Sequence, residues 1–372
     1  MTPHPSQFHL SGTERRVLDA VRRAGNVNRF KIAQQCDLLA STMTRVAGDL
    51  LEKGLICEEV APSNGQRGKP RLLLRLNPEG AHSIGLALTA ESLSVCLANQ
   101  LGEKLAESVE PLSSLAPGAV ADRAADAIAH VLGKSGISPE LVVGVGLSMP
   151  GNSTALPPYI FPLPQFAGWD SVVPAEFMAQ RLGLPVWFQN DAQAVAVAEA
   201  TFGQARAVDN FVSFYMAHGF GAGIFVDGRL LRGAHGNAGL LGALAPRPLT
   251  RPSGEDLIKH LALAGFAYAR LDQIIVTEQN RAAIDAWIAR AATQIADISR
   301  VLAAVVDPEL IFLSGLIPQC VTDALVEKLA AWPISTGAQM PQVIVRSSRI
   351  MAAGPQLAAA ALPLRHILFG SP

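Results

Sequence analysis

The chain has 372 residues, 49% of them hydrophobic and 16% charged, with a formal net charge of −1. This composition excludes a disordered chain and leaves room for two or three domains with sizeable cores. Four scattered cysteines, Cys36, Cys57, Cys96 and Cys320, encode neither a disulfide framework nor a zinc cluster. With no apolar leader and no apolar run of about eighteen residues, a soluble cytoplasmic protein without membrane spans is expected.

The charge is unevenly spread. Residues 1–78 hold 12 Lys+Arg against 7 Asp+Glu, an excess of +5; the remainder holds 18 against 24, or −6, which restores the net −1. A basic end on an acidic body suggests a polyanion partner for the small end alone. Thr13 can cap a helix running to about Ala24, with Val17, Leu18 and Val21 on one face. A second helix is expected from Arg29 to about Cys36, with Ile32 and Ala33 inward. Ser41 can cap a third, on which Met43, Val46 and Leu50 must face the core. Ser41, Thr42, Thr44 and Arg45 then point outward. Short polar and basic side chains of this kind meet base edges and phosphates from the recognition helix of a helix-turn-helix.

Gly54 ends that helix. The stretch Leu55-Ile56-Cys57 begins a strand, residues 63–70 form a glycine-rich tip, and Arg71 to Leu76 return. Arg67, Lys69 and Arg71 sit at or near the tip, as in the basic wing of a winged helix, suited to a minor groove or a phosphate row. Double-stranded DNA is therefore the expected partner of residues 1–78.

After the linker at Asn77–Gly80, His82 to Ala98 reads as two strands turning at Ala90-Glu91, with Gly102 in a following hairpin. A helix is expected over Val120–Ser135, with Ala121, Ala125, Ile128 and Leu132 along its inner face. A buried strand follows over Leu141–Ser148, ending at Met149-Pro150-Gly151-Asn152. A proline-rich loop over Pro157–Pro164 precedes a helix at Pro174–Leu182. Farther on, Ala282–Val306 reads as a long helix with Ile284, Ile288, Ile295, Ile298 and Leu302 inward. A strand over Leu310–Gly315, a helix over Val321–Ala330, a strand over Gln342–Arg346 and a closing helix over Leu357–Leu368 complete the chain.

The central stretch, Pro185 to Ala243, is the most informative. A strand delivers Asn190-Asp191 at its carboxyl end, where open α/β sheets place ligands. A strand pair then carries Gly219, Gly221 and Gly223, whose backbone could approach a phosphate or sugar. The run Gly236-Asn237-Ala238-Gly239 follows. Each motif alone also reads as a capped strand end or a glycine hairpin.

Together and in this order they resemble the ROK family (repressors, open reading frames and sugar kinases), over nearly the whole chain. The stretch from Arg67 to Arg71 followed by Leu76-Asn77-Pro78 also looks like the join used by repressors of that family. The resemblance implies an α/β architecture: an N-terminal winged helix domain (1–78) before a two-lobed actin-like ATPase fold. Its lobes would be 79–190, with 355–372 packed back on it, and 191–354. It further implies that Asn190 and Asp191 hold sugar hydroxyls, Asp191 standing where the kinases keep their general base. Gly151 and Asn152 would add a sugar loop, and Glu255 the last sugar-binding carboxylate, although a helix N-terminal Glu explains Glu255 equally well.

The departures from the family pattern are specific. Ala87 and Thr89 stand where a carboxylate and a glycine bind the phosphates and metal of ATP, and an apolar methyl cannot do so. Leu240 and Ala243 replace a Glu and a His that contact sugar. The zinc cysteines are absent from residues 246–255, and only Gly315 remains of two adenosine glycines. These departures predict no cofactor, no metal and no sugar kinase activity. The expected function is a transcriptional regulator, a repressor of carbohydrate or related catabolic genes, acting as a homodimer or homotetramer with a carbohydrate-like effector. Two alternatives stay open: a ROK sugar kinase, or a DNA-binding dimer with no small-molecule effector.

Overall fold

The computed structural model describes residues 8–60, 72–153, 160–161, 163–244, 251–335, 337, 339 and 341–370. By its contacts the chain divides into two compact units. The first comprises Met1–Gly151, Ala155–Gln189 and Pro355–Pro372, and the second Asn152–Thr154 and Asn190–Gly354.

The first unit begins with three helices, α1 (Gly12–Ala24), α2 (Arg29–Gln35) and α3 (Ala40–Glu52). Val17, Leu18 and Val21 of α1 and Met43, Val46 and Leu50 of α3 are buried together with Ile32 of α2, as their spacing predicts. The caps differ from the expectation. Ser11, not Thr13, starts α1: its hydroxyl accepts from the Glu14 amide (3.2 Å), and Glu14 accepts from the Ser11 amide (2.7 Å). This reciprocal pair satisfies two helix-end donors at once, which Thr13 could not do. Helix α3 starts one residue before Ser41, with Leu39 as a cap that makes no side-chain bond.

Strands β1 (Ile56–Val60) and β2 (Leu72–Leu76) form an antiparallel hairpin, Ile56 opposite Leu76 and Val60 opposite Leu72. Val27 adds a third edge by exchanging both backbone bonds with Leu74, at 3.0 and 2.7 Å. Three helices and a hairpin in this order make the element plan of a winged helix. Arg67, Lys69 and Arg71 lie outside the described residues.

The body elements follow: β3 (His82–Leu88), β4 (Ser92–Asn99), β5 (Lys104–Pro111), α4 (Pro117–Ser135) and β6 (Val142–Met149). Next come the two-residue strands β7 (Asn152–Ser153) and β8 (Ile160–Phe161), then α5 (Pro174–Leu182) and β9 (Val186–Asn190). The first sheet has the order β5-β4-β3-β6-β9; β3, β4 and β5 pair antiparallel, while β3 and β6 are parallel. Helix α4 packs on it through Val120, Ala121, Ala124, Ala127, Ile128 and Val131. Ala125 is exposed and Leu132 only partly buried. The apolar stripe is shifted by one residue from the predicted one, since an alanine-rich helix leaves its face to be chosen by the sheet it meets.

The second unit holds α6 (Asp191–Thr201), β10 (Phe211–Met216), β11 (Phe220–Val226), β12 (Arg229–Leu230), α7 (Gly254–Leu263) and α8 (Glu278–Val306). It continues with β13 (Leu310–Gly315), α9 (Gln319–Ala330) and β14 (Ile344–Ser347). Its sheet runs β12-β11-β10-β13-β14, with β10, β13 and β14 parallel and the β10–β11–β12 pairs antiparallel. Ile284, Ile288, Ile295, Ile298 and Leu302 of α8 are all buried in its core, as the sequence predicts.

The last helix, α10 (Pro355–Ile367), returns to the first unit. It is seated by two glycines that face each other in register, Gly85 on β3 and Gly146 on β6. A Cβ at Gly85 would lie 1.9 Å from the Gln356 carbonyl oxygen, and one at Gly146 1.8 Å from that of Ala359. Pro363 inside α10 has no amide to offer the Ala359 carbonyl, so that oxygen loses its usual partner in the helix ladder.

The N-terminal helices and hairpin are tied to the first sheet by a polar joint. The buried Gln100 amide, at the β4–β5 turn, donates to the carbonyls of Leu55 (2.9 Å) and Asn77. Asn77 Nδ2 donates to the Gly54 carbonyl at 2.7 Å. Gly80 must be glycine there, because a Cβ would lie 2.4 Å from that same carbonyl. Arg365 of α10 reaches Asp19 of α1 (3.8 Å), and Arg22 lies over the Phe369 ring at 5.3 Å.

Candidate nucleic-acid interface and effector site

Burial of Met43, Val46 and Leu50 fixes the rotation of α3. Ser41, Thr44 and Arg45 are consequently exposed and Thr42 is half-buried. The Thr44 hydroxyl donates to the Ala40 carbonyl (2.8 Å), and Arg45 pairs with Asp49 one turn on (3.0 Å). An exposed pair at this spacing contributes little, on the order of 0.3–0.5 kcal/mol. The guanidinium can therefore exchange Asp49 for a stronger anion at small cost.

In the second unit, the end of β9 runs without a loop into α6. Asn190 caps that helix, its side-chain oxygen accepting from the Ala192 amide (3.0 Å), and Asp191 Oδ1 accepts from the same amide at 2.8 Å. Loss of hydration pushes the Asp191 carboxyl from 3.8 up to about 6; its amide hydrogen bonds and the nearby His218 act the other way. The Tyr215 phenol is held well above its ordinary value by burial and by the Asp191 charge, so it stays a neutral hydroxyl.

The glycine pattern has a packing origin that the sequence did not disclose. A Cβ at Gly223 would sit 2.3 Å from the Ala196 Cβ, and one at Gly221 3.3 Å from that of Ala192. Both let α6 lie close against β11. A Cβ at Gly219 would meet nothing within 4 Å. Gly239 has φ 93°, and a Cβ there would fall 1.9 Å from the Ala222 carbonyl oxygen. Gln193, which sequence reasoning passed over, pins the following loop: its Nε2 donates to the carbonyls of Gly236 (3.1 Å) and Ala238 (3.3 Å). A chemically suited amide one turn into α6 was its only sequence signal. Leu240 and Ala243 are exposed at the end of that loop.

The remaining predicted residues are placed as follows. Gly151 has φ 149°, and Asn152 is exposed at the start of β7. Glu255 is exposed in the first turn of α7 and pairs with Lys259 at 2.5 Å. Its neighbour Asp256 is the buried carboxylate, accepting from Trp287 Nε1 and Arg290 Nη2, both at 2.8 Å. Ala87 is buried on β3, and the Thr89 hydroxyl is occupied in closing the turn to β4 through the amides of Glu91 and Ser92. Ser314 donates to the Phe214 carbonyl at 2.7 Å. Among the described residues no three His, Cys, Asp or Glu side chains are grouped to hold a metal. No helix among them is long and apolar enough to cross a membrane.

The model of the ROK family matches residues 83–363. The chain belongs to the ROK family. It is 30% identical over 363 residues to the uncharacterized protein y4fQ of Sinorhizobium fredii, covering 97% of this chain and 92% of that one. It is 28% identical to the xylose repressor of Caldicellulosiruptor bescii over 58% of this chain, and spans 54% of that repressor's length. The crystal structure of a ROK-family transcriptional regulator homologous to the Mlc protein of E. coli superposes with a TM-score of 0.68 at 20% identity, over 96% of each chain. That superposition shows a shared fold.

Proposed function

We propose that this ROK protein is a DNA-binding transcriptional repressor of carbohydrate or related catabolic genes, whose body senses a small carbohydrate-like effector. The observation that carries the reading is the rotation of α3, which buries Met43, Val46 and Leu50 and leaves Ser41, Thr44 and Arg45 outward beside a hairpin. Similarity to a xylose repressor supports it. Thr42 completes that reading face, and Arg67, Lys69 and Arg71 of the hairpin segment would meet phosphates or the minor groove. Asn190 and Asp191 are the proposed core of the effector site, with Gly151 and Asn152 as its loop. Glu255 would have to leave Lys259 to join them.

A sugar kinase reading is weaker. Phosphoryl transfer rests on positioning and on neutralising charge around the nucleotide. Ala87 offers a buried methyl and the Thr89 hydroxyl is spent in its own turn. The deciding experiment is fluorescence anisotropy of the purified protein on its own upstream region against shuffled DNA at fixed salt. A sequence preference with a footprint of two related half-sites is expected. Equal affinity for both DNAs would sink the regulator reading.

A further inference from the structure

Among the described residues, Arg251 is a cation without an anion. It is half-buried, and its Nε is buried with no hydrogen-bond partner. Among the described residues no carboxylate pairs with it. A buried guanidinium nitrogen without an acceptor is unfavourable, and native structures resolve such groups with a water, an ion or a ligand.

Its position ties it to the loop that Gln193 pins. A Cβ at Gly242 would lie 3.1 Å from Arg251 Nη1 and 3.1 Å from the Phe220 carbonyl oxygen, so the guanidinium rests on the backbone between Leu241 and Ala243. The segment after it is fixed to the β10–β11 turn, since the Gly254 amide donates to the Ala217 carbonyl at 2.6 Å. That turn carries His218, which lies near Asp191. At the start of β11, Gly221 packs against Ala192, next in chain to Asp191. Asp191, the loop 236–242 and Arg251 are thus linked through the same end of one strand pair. In the same loop Leu240 and Ala243 offer hydrocarbon where a hexose would need partners for its hydroxyls.

We propose that Arg251 is an anion subsite of the effector site, and that the effector is a polyol or sugar carrying a carboxylate or phosphate, its anion on the guanidinium and its hydroxyls toward Asn190 and Asp191. This rests on the effector-sensing reading above. The planar guanidinium fork accepts either anion in bidentate fashion, and a charge-assisted pair outweighs the neutral hydroxyl contacts that Leu240 and Ala243 cannot make.

The test is calorimetry and thermal shift on the full chain at constant ionic strength, with glucose, gluconate, glucuronate, glucose 6-phosphate and inorganic phosphate as probes. At least one anionic probe should bind about tenfold or more tightly than glucose and raise Tm. The gluconate and glucose 6-phosphate arms separate carboxylate from phosphate. Arg251→Gln should remove the preference for the anion, and Arg251→Lys should keep part of it. Should Arg251→Gln fail to fold, Gly242→Ala supplies a second variant, displacing the guanidinium while keeping its charge, and it should weaken anion binding too. Glucose binding as tightly as every anion, no anionic probe binding at millimolar concentration, or anion binding unchanged in Arg251→Gln would each overturn the proposal. The operator assay on the wild-type protein separates the two readings. Intact DNA preference without anion binding removes only the subsite, and Arg251-dependent anion binding without DNA preference removes only the regulator.

Discussion

Asp191 is a carboxyl held in a place that disfavours its charge. Its proton is bound up to about pH 6 in the folded protein, against 3.8 for the free side chain. Between those values the folded state holds more protons than the unfolded chain, so stability falls as pH rises through the window. Above it the deficit is on the order of 3 kcal/mol. Asp191→Asn keeps the acceptor for the Ala192 amide and removes the charge. The variant should therefore melt at a higher temperature than the wild type at pH 7.5, and the difference should vanish near pH 4. A Tm difference that does not change with pH would show that the charge is not the cause. Such stored instability would suit the proposed effector role of Asp191, since function and stability often compete. Gly146 is the opposite case, a residue chosen for packing alone. Its Cβ would collide with a backbone oxygen that cannot rotate away. Gly146→Ala should cost about 3 kcal/mol or more, read as a lowered urea midpoint with α10 detached from its sheet in hydrogen exchange.

At the scale of the element, α3 shows how packing sets the face that a helix presents. Three buried side chains fix its rotation, and everything between them in sequence must face away. Arg45, held by Asp49 in the free protein, is the candidate for base contact. Arg45→Ala should weaken specific binding by about 1–3 kcal/mol while leaving binding to random DNA nearly unchanged. A uniform loss on all sequences, with a shallower salt dependence, would make it a phosphate contact instead. The hairpin next to α3 is tied to the first sheet. The Gln100 side chain donates to the carbonyls of Leu55 and Asn77, and Gly80 closes on Gly54, so one side chain of the first sheet ties down the hairpin base.

At the scale of the molecule, the chain shares its fold both with a ROK transcriptional regulator and with ROK kinases, and the proposed reading is a regulator without kinase activity. With Ala87, Thr89 and Ser314 in the nucleotide positions, incubation with ATP, magnesium and a panel of hexoses should yield no sugar phosphate above background. A single hexose phosphorylated at about 1 per second or faster, and not phosphorylated by Asp191→Ala, would restore the enzyme reading. Two half-sites in one footprint would require two copies of the chain, since operator symmetry mirrors protein symmetry.

The amino-acid sequence by itself determined the order of elements, the inward faces of α1, α3 and α8, and the motif series that marks the family. Those features rest on local periodicity and local turn chemistry, which a one-dimensional reading contains. It misplaced both caps, Ser11 for Thr13 and Leu39 for Ser41, because neighbouring residues of similar propensity compete and packing selects between them. It shifted the inner face of α4 by one residue, because alanine leaves that face undetermined until Val120, Ala124 and Val131 meet the sheet. It read Gly221 and Gly223 as room for a ligand, whereas the tertiary structure uses them as room for α6. Gln193 and Gln100 were invisible for one further reason: their partners lie tens of residues away, and a long-range hydrogen bond leaves no periodic trace in the chain that makes it.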